Sequence, residues 1–349
     1  VRGVRAITYR EASVRQVLVT GCAGFIGYHL AERLLADGDQ VVGYDNVNDY
    51  YDVRLKRARL ARLARHPNFV FVEADLADGQ RVAQTFADHR FEVVFHLAAQ
   101  AGVRHSLTHP HAYVDANLVG FLNVLEGCRH NRVGHLLFAS SSSVYGTNSR
   151  QPFSSREPVD HPISLYAATK KANEMMAHSY AHLFGVPCTG LRFFTVYGPW
   201  GRPDMAMFKF ADAILAGRPI DVFNHGDMER DFTYVDDVVE SVVRLGRTPA
   251  APDPAWSQDR PDTSHAPYRI HNVGNSNPVP LLHLIGLVEQ NLGRTAIQNR
   301  LPMQPGDVRA TSADTAELEA AIDYKPSTTL EVGVKNFIDW YREWFAVTP

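Results

Sequence analysis

Two hydrophobic rhythms alternate along this chain. Short apolar, β-branched runs suited to buried parallel strands occupy residues 16–20 (QVLVT), 40–44, 68–73, 93–97, 135–139 and 187–194. Between them, 25–36, 111–129 and 165–184 repeat apolar residues every three or four positions, the helical period. Strand and helix taking turns predicts βαβ units in an α/β fold with a Rossmann-like, doubly wound parallel sheet. The proline-rich, polar stretch 247–268 predicts a surface loop, and residues 1–15 a loose N-terminal extension. In 56–65 the bases Lys56, Arg57, Arg59, Arg62 and Arg65 lie among Leu55, Leu60 and Leu63. That spacing predicts a solvated helix face rather than a nucleic-acid patch.

The first apolar run leads directly into Gly21-Cys22-Ala23-Gly24-Phe25-Ile26-Gly27, a GxxGxxG turn that opens a helix. Glycines there allow a tight turn and let a pyrophosphate approach the free N–H groups of the helix start. The second run ends in Asp45, where a carboxylate can hold adenosine ribose hydroxyls and repels the extra phosphate of NADP. NAD is therefore the expected cofactor. Its expected contacts are Gly21, Ala23, Gly24, Phe25, Ile26 and Gly27, then Asp45 and Asn46, Asp75 and Leu76, and the small residues Ala98, Ala99 and Ala101 after Leu97. Asn117 is expected to join them from its helix. The glycine motif alone is also compatible with a helix-capping turn that binds nothing.

Composition narrows the class. A chain of 349 residues can bury a large core, and 45% hydrophobic with 21% charged residues is ordinary for a globular enzyme. A net charge of −3 provides no field for nucleic acid or anionic membranes, and no apolar run reaches membrane length. Cys22, Cys128 and Cys188 lack metal-ligand spacing and suit buried positions in a reducing cytoplasm, the expected compartment. The sixteen histidines are expected in surface or packing roles, and no metal site is expected.

After the serine run 140–143 come Tyr166 and Lys170, one helical turn apart. A phenol titrates near about 10 in water. A neighbouring ammonium and a positive nicotinamide ring would favour its phenolate. Lys170 can also hold the nicotinamide ribose, and a hydroxyl among Ser141, Ser142 and Ser143 can relay a proton from substrate to Tyr166. Following a strand-end serine cluster in a Rossmann-like chain, this pair reads as a hydride-transfer catalyst.

GxxGxxG, Ser143-Val144-Tyr145-Gly146, Tyr166-x-x-x-Lys170 and Arg230-Asp231-Phe232-Thr233-Tyr234-Val235-Asp236-Asp237 together resemble the extended short-chain dehydrogenase/reductases that act on nucleotide sugars. The likeness runs from about residue 16 onward. The stretches AAQAGVRHS (98–106), SLYAATKKANE (164–174), RFFTVYGPWGRPDMA (192–206) and LPMQPGD (301–307) resemble, more narrowly, the UDP-glucuronate 4-epimerases. The resemblance implies an NAD-binding domain over 16–194, with returning segments near 233–246 and 269–274. It also implies a smaller, interleaved α/β domain over 195–232 and 275–349 that binds the UDP-sugar, and a homodimer formed through 111–129 and 165–184.

In such enzymes Tyr166 would take the O4 proton as C4 gives a hydride to NAD, and the 4-keto sugar would turn over and take the hydride back. By resemblance Arg230 and Asp307 would hold the phosphates and uridine ribose, Val222 and Phe223 would lie near uracil, and Arg104 and Gln304 would also touch substrate. A surface ion pair is the plainer reading of Arg230 and Asp307. Thr195 and Arg202 would clamp the sugar carboxylate, although Arg202 is equally placed to cap a helix or pair with Asp204. Dehydratases carry Asp-Glu where this chain has Ser142-Ser143, and decarboxylases carry Glu beside the valine. UDP-glucose 4-epimerase and UDP-glucuronate decarboxylase remain the enzymatic alternatives. A non-catalytic NAD-binding regulator would need neither Tyr166 nor Lys170.

Overall fold

A computed structural model describes residues 15–304 and 306–346. The apolar runs form β1 (Gln16–Thr20), β2 (Gln40–Asp45), β3 (Phe69–Glu73), β4 (Val93–His96), β5 (His135–Ser141) and β6 (Cys188–Phe193). Further along are β7 (Thr195–Tyr197), β8 (Ile220–Val222), β9 (Glu229–Tyr234), β10 (Tyr268–Val273), β11 (Pro278–Pro280) and β12 (Gln298–Arg300). The first helices are α1 (Phe25–Ala36), α2 (Val53–Leu63), α3 (Gly79–Asp88), α4 (His105–Thr108), α5 (Pro110–Val114), α6 (Gly120–His130) and α7 (Leu165–Phe184). They are followed by α8 (Ala206–Leu215), α9 (Val235–Leu245), α10 (Leu281–Leu292), α11 (Ala316–Ile322) and α12 (Leu330–Phe345).

Seven parallel strands make the central sheet, in the order β3-β2-β1-β4-β5-β6-β10. The doubly wound sheet expected from the sequence is present. Strand period sorts its side chains: Val17 and Val19 join one core with Leu30, Leu34, Val238 and Val242 of α1 and α9. Leu18 joins the opposite core with Phe121, Val124 and Ala177 of α6 and α7. The strand order reverses between β1 and β4, which opens a crevice at their carboxyl ends. A three-stranded sheet (β7-β9-β11) and the β8–β12 pair build a second lobe. Its core is dominated by Phe208, Leu284, Phe337 and Trp340 from α8, α10 and α12. The chain crosses back twice, because α9 packs on α1 and β10 closes the edge of the large sheet.

Local signals set several boundaries. The Ser164 hydroxyl accepts the Ala167 N–H to start α7, and Gly185, at φ 68°, ends it in the left-handed region. Asp52 and Asp78 cap α2 and α3 in the same way. By contrast α1 begins at Gly24 with no side-chain cap and no acid in its first turn, so its N–H groups stay available.

The helix expected over 111–129 is present: α5, a π-helical turn over Asp115–Val119 and α6 follow one another without interruption from Pro110 to His130. Two expectations need revision. The 247–268 segment is only partly a surface loop: Asp262, Thr263, Ser264 and Ala266 are buried, with Ser264 hydrogen-bonded to His178 at 2.8 Å. Most of the expected N-terminal extension lies outside the described residues, but Arg15 is tied to Asp39 by a two-pronged ion pair.

Candidate active site

A cavity of about 470 Å³ opens at the crevice and extends beneath the second lobe. That is within the usual range for small-molecule sites, roughly 300–1,000 Å³. Its floor is the glycine turn. Gly21 has φ +75°, and a Cβ there would stand 2.7 Å from the Ala98 nitrogen; at Gly27 it would stand 2.1 Å from the Gly21 carbonyl oxygen. Only glycine lets β1, α1 and the 97–101 segment meet this closely. Gly24, Phe25, Ile26, Asp45, Asn46, Asp75, Leu76, Leu97, Ala98, Ala99 and Ala101 line the same cavity.

Asp45 accepts the Ala23 N–H at 3.0 Å and the Val47 N–H at 2.8 Å, and burial raises its carboxyl above the ordinary range. Ala23 itself is buried and acts through that N–H. Asn46 donates to Asp75 at 2.8 Å.

Asn117 does not line the cavity. The π turn buries it, so that its amide accepts the Gln100 N–H (2.8 Å) and donates to the Gln100 carbonyl (3.1 Å) and to Thr169 Oγ1 (3.0 Å). It fixes the 97–102 segment against α7.

Strand β5 and the 3-10 turn after it bring Ser141, Ser142 and Ser143 to the wall of the cavity that Tyr166 and Lys170 of α7 also line. Ser141 donates to Ser143 Oγ and accepts the Ser143 N–H, each at 3.1 Å. Lys170 donates to the Ala139 carbonyl at 2.9 Å, and burial pushes its ammonium down to about 7. Burial raises the Tyr166 phenol above its usual value. The Ser141 hydroxyl and the Arg202 guanidinium act against that rise. Lys170 is turned to a backbone carbonyl in this structure.

At the sugar end Thr195, Arg202 and Arg230 line the wall together with Asp307. Arg202 grips Asp204 through Nε (2.9 Å) and Nη2 (2.5 Å). Arg230 bonds Asp307 at 2.6 Å, and Arg104 lies 3.8 Å from the same carboxylate with its guanidinium 4.7 Å over the Phe223 ring. Four expected substrate contacts fall outside the cavity lining: Arg104, Val222, Phe223 and Gln304. Val222 is fully buried in the second-lobe core, so its side chain cannot face a ligand there. Gln304 accepts the Asp307 N–H through its carbonyl.

The basic helix face is the largest miss. Lys56 and Arg59 are 5% and 0% exposed. Lys56 lines the cavity and donates to Asn48, while Arg59 donates to the Ala23, Trp200 and Gly201 carbonyls and to Tyr51. A signal was present: 56, 59, 60 and 63 follow the i, i+3, i+4, i+7 stripe, so these two bases share the inward face with Leu60 and Leu63. Tyr50, Tyr51, Met205 and Val308 also line the cavity and were not expected. Among the histidines, 105/109 and 178/182 do stand four apart and 109/111 two apart. Among the described residues, however, no group of three His, Cys, Asp or Glu could hold a metal.

Residues 17–256 match the model of the NAD dependent epimerase/dehydratase family. The chain belongs to that family. A probable UDP-glucuronate 4-epimerase of Rhizobium meliloti is 52% identical over 329 residues, covering 93% of this chain and 96% of that one. The UDP-glucuronic acid 4-epimerase of Bacillus cereus, solved with UDP-glucuronic acid and NAD, is similar in structure with a TM-score of 0.82 at 31% identity. That match covers 94% of this chain and 99% of the other. A UDP-glucose 4-epimerase of Thermotoga maritima, solved with UDP-glucose, aligns with a TM-score of 0.81 at 29% identity, over 95% and 99% of the two chains. Backbone likeness therefore does not separate the two sugars within this epimerase/dehydratase family; the side chains at the sugar end must. The family's cofactor suits the residues present, since an uncapped helix start, a glycine cradle that any Cβ would fill and the Asp45 carboxylate at the end of β2 converge on one cavity.

Proposed function

We propose that this protein interconverts UDP-glucuronate and UDP-galacturonate at C4, using NAD that stays bound and is regenerated in each turnover. The observation that carries this reading is that Arg202 and Tyr166 line one cavity, which brings a carboxylate-binding group into the site of the base. The glycine turn, Asp45, Lys170 and the 97–101 segment would hold NAD, which supplies a hydride acceptor and donor at C4. Tyr166 takes the O4 proton, with the Ser141 or Ser143 hydroxyl bridging sugar and phenol. Arg230 and Asp307 anchor the nucleotide end, far enough from C4 for the sugar to turn over.

Thr195 and Arg202 hold the carboxylate, and this also protects the 4-keto intermediate. With a ketone at C4 the sugar is a β-keto acid. Losing carbon dioxide would break the C5–C6 bond and send its electron pair into the C4 carbonyl. That requires the breaking bond to align with the carbonyl π system, and a clamped carboxylate prevents the alignment.

Exposed Val119, Leu122, Met175, Leu183 and Phe184 on the π turn, α6 and α7 support a homodimer through these helices, to be checked by sedimentation. Among the described residues no helix is long and apolar enough to cross a membrane, and three buried, unpaired cysteines suit a cytoplasmic enzyme. The deciding experiment is proton NMR of UDP-glucuronate with purified protein and no added NAD. UDP-galacturonate formed without loss of carbon dioxide supports the reading. A pentose product, or turnover of UDP-glucose alone, refutes it in favour of a decarboxylase or a neutral-sugar epimerase.

A further inference from the structure

The β2–α2 segment, which begins at the cofactor's ribose end, also reaches the sugar end. Tyr50 lines the cavity and donates to Asp204 Oδ2 at 3.1 Å, while Asp204 binds Arg202 through the Nε–Nη2 edge of its guanidinium. The Nη1 end of Arg202 makes no hydrogen bond among the described residues. A guanidinium has two usable forks. Asp204 occupies the side fork and leaves the end fork unengaged, on a residue that lines the cavity.

The loop carrying Arg202 is held from the same segment. Trp200 has φ +58°, in the left-handed region, and its carbonyl is gripped by the fully buried Arg59, which also bonds the Ala23 carbonyl of the glycine turn. On its other side the Tyr50 hydroxyl packs so closely on Gly102 that a Cβ there would stand 2.4 Å away. Burial and the Asp204 charge push the Tyr50 phenol up to about 12, so it remains a donor at neutral pH.

We infer that Tyr50 and Asp204 are positioning residues that set the substrate preference of the site, aiming the end fork of Arg202 at the carboxylate of a uronate sugar. This inference rests on the reading of Arg202 given above. Asp204 is then a support for Arg202 and not a competitor of the substrate carboxylate.

The test is calorimetric. Dissociation constants for UDP-glucuronate and UDP-glucose are measured on the full-length, NAD-loaded protein in a Tyr166→Phe background, so that nothing turns over. They are repeated with Tyr50→Phe and with Asp204→Asn. Each added substitution should weaken UDP-glucuronate about tenfold, the scale of a lost hydrogen bond to a charged group, and leave UDP-glucose within about twofold. Tighter UDP-glucuronate binding in Asp204→Asn would show that Asp204 competes, and overturns the inference. Unchanged ratios in both variants, in a protein that epimerises UDP-glucuronate, overturn the positioning role alone. A parent protein with no preference for UDP-glucuronate over UDP-glucose overturns the carboxylate reading beneath it.

Discussion

Replacing Arg192 by leucine should expose how the catalytic strand and helix are held together. Arg192 and Glu174 are 1% and 2% exposed and meet in a two-pronged pair, both contacts at 2.9 Å. Glu174 also accepts the Ser140 hydroxyl at 2.7 Å, and Arg192 donates to the Tyr145 hydroxyl at 3.2 Å. The pair thereby ties β6 to α7, which carries Tyr166 and Lys170, and to the serine end of β5. Removing one member of a buried pair typically costs about 3–5 kcal/mol, because the other charge is left unpaired. Lys171 stands 3.8 Å from Glu174 and can offer partial compensation, so a loss of about 3 kcal/mol is expected.

The loss should depend on pH. Burial pushes the Glu174 carboxyl up, but Arg192, together with Lys171 and the Ser140 hydroxyl, more than offsets this and leaves it below its usual range. In the parent protein its stabilising share is present above the unfolded value, about 4.3, and is lost as pH falls through the folded one. Without Arg192 burial dominates and the folded value lies above the unfolded one. The variant then becomes relatively worse as pH rises. Urea unfolding followed by circular dichroism at pH 5 and pH 8 should show the larger deficit at pH 8. A deficit below about 1 kcal/mol, or one equal at both pH values, would refute the buried-pair account. The double variant Glu174→Leu with Arg192→Leu should recover part of the loss, since no unpaired charge remains.

Three further outcomes are expected. Gly27→Ala places a methyl 2.1 Å from the Gly21 carbonyl oxygen, so the protein should lose about 1–3 kcal/mol and purify with little NAD; full NAD occupancy by chromatography would contradict the cradle. Tyr166→Phe should lower kcat by about two to four orders of magnitude while retaining NAD, and substantial turnover in that variant would remove Tyr166 as the base. Lys170 is pushed down to about 7 by burial, whereas in the unfolded chain it stays protonated to about 10.4. Between these values the unfolded chain binds the extra proton, so this group's contribution to stability rises with pH. Lys170→Met should flatten the stability profile of nucleotide-free protein between pH 7 and pH 9, and an unaltered slope counts against the assignment.

Most of the large sheet was legible because its signals are local. Apolar runs and the GxxGxxG turn each act within a few residues, and the helix period alone places Lys170 on the face of Tyr166. The π turn around Asn117 was not legible, since it forms to satisfy Gln100 and Thr169, which are 17 and 52 residues away. The burial of Val222 was not legible for a related reason. A three-residue strand carries too little pattern to show which face is inward, and packing against the second-lobe core decides it.

The charged residues divide most sharply. By itself the sequence determined that this is a nucleotide-binding α/β enzyme of one family, with a tyrosine–lysine pair after a serine-ended strand. Only the tertiary structure decided which partners meet the inward Lys56 and Arg59, that Arg192 meets Glu174, and that Tyr50 reaches Asp204 across 154 residues of chain. The physical reason is desolvation. A buried charge or hydroxyl is costly until its partner arrives, and which partner arrives is a property of how distant segments pack.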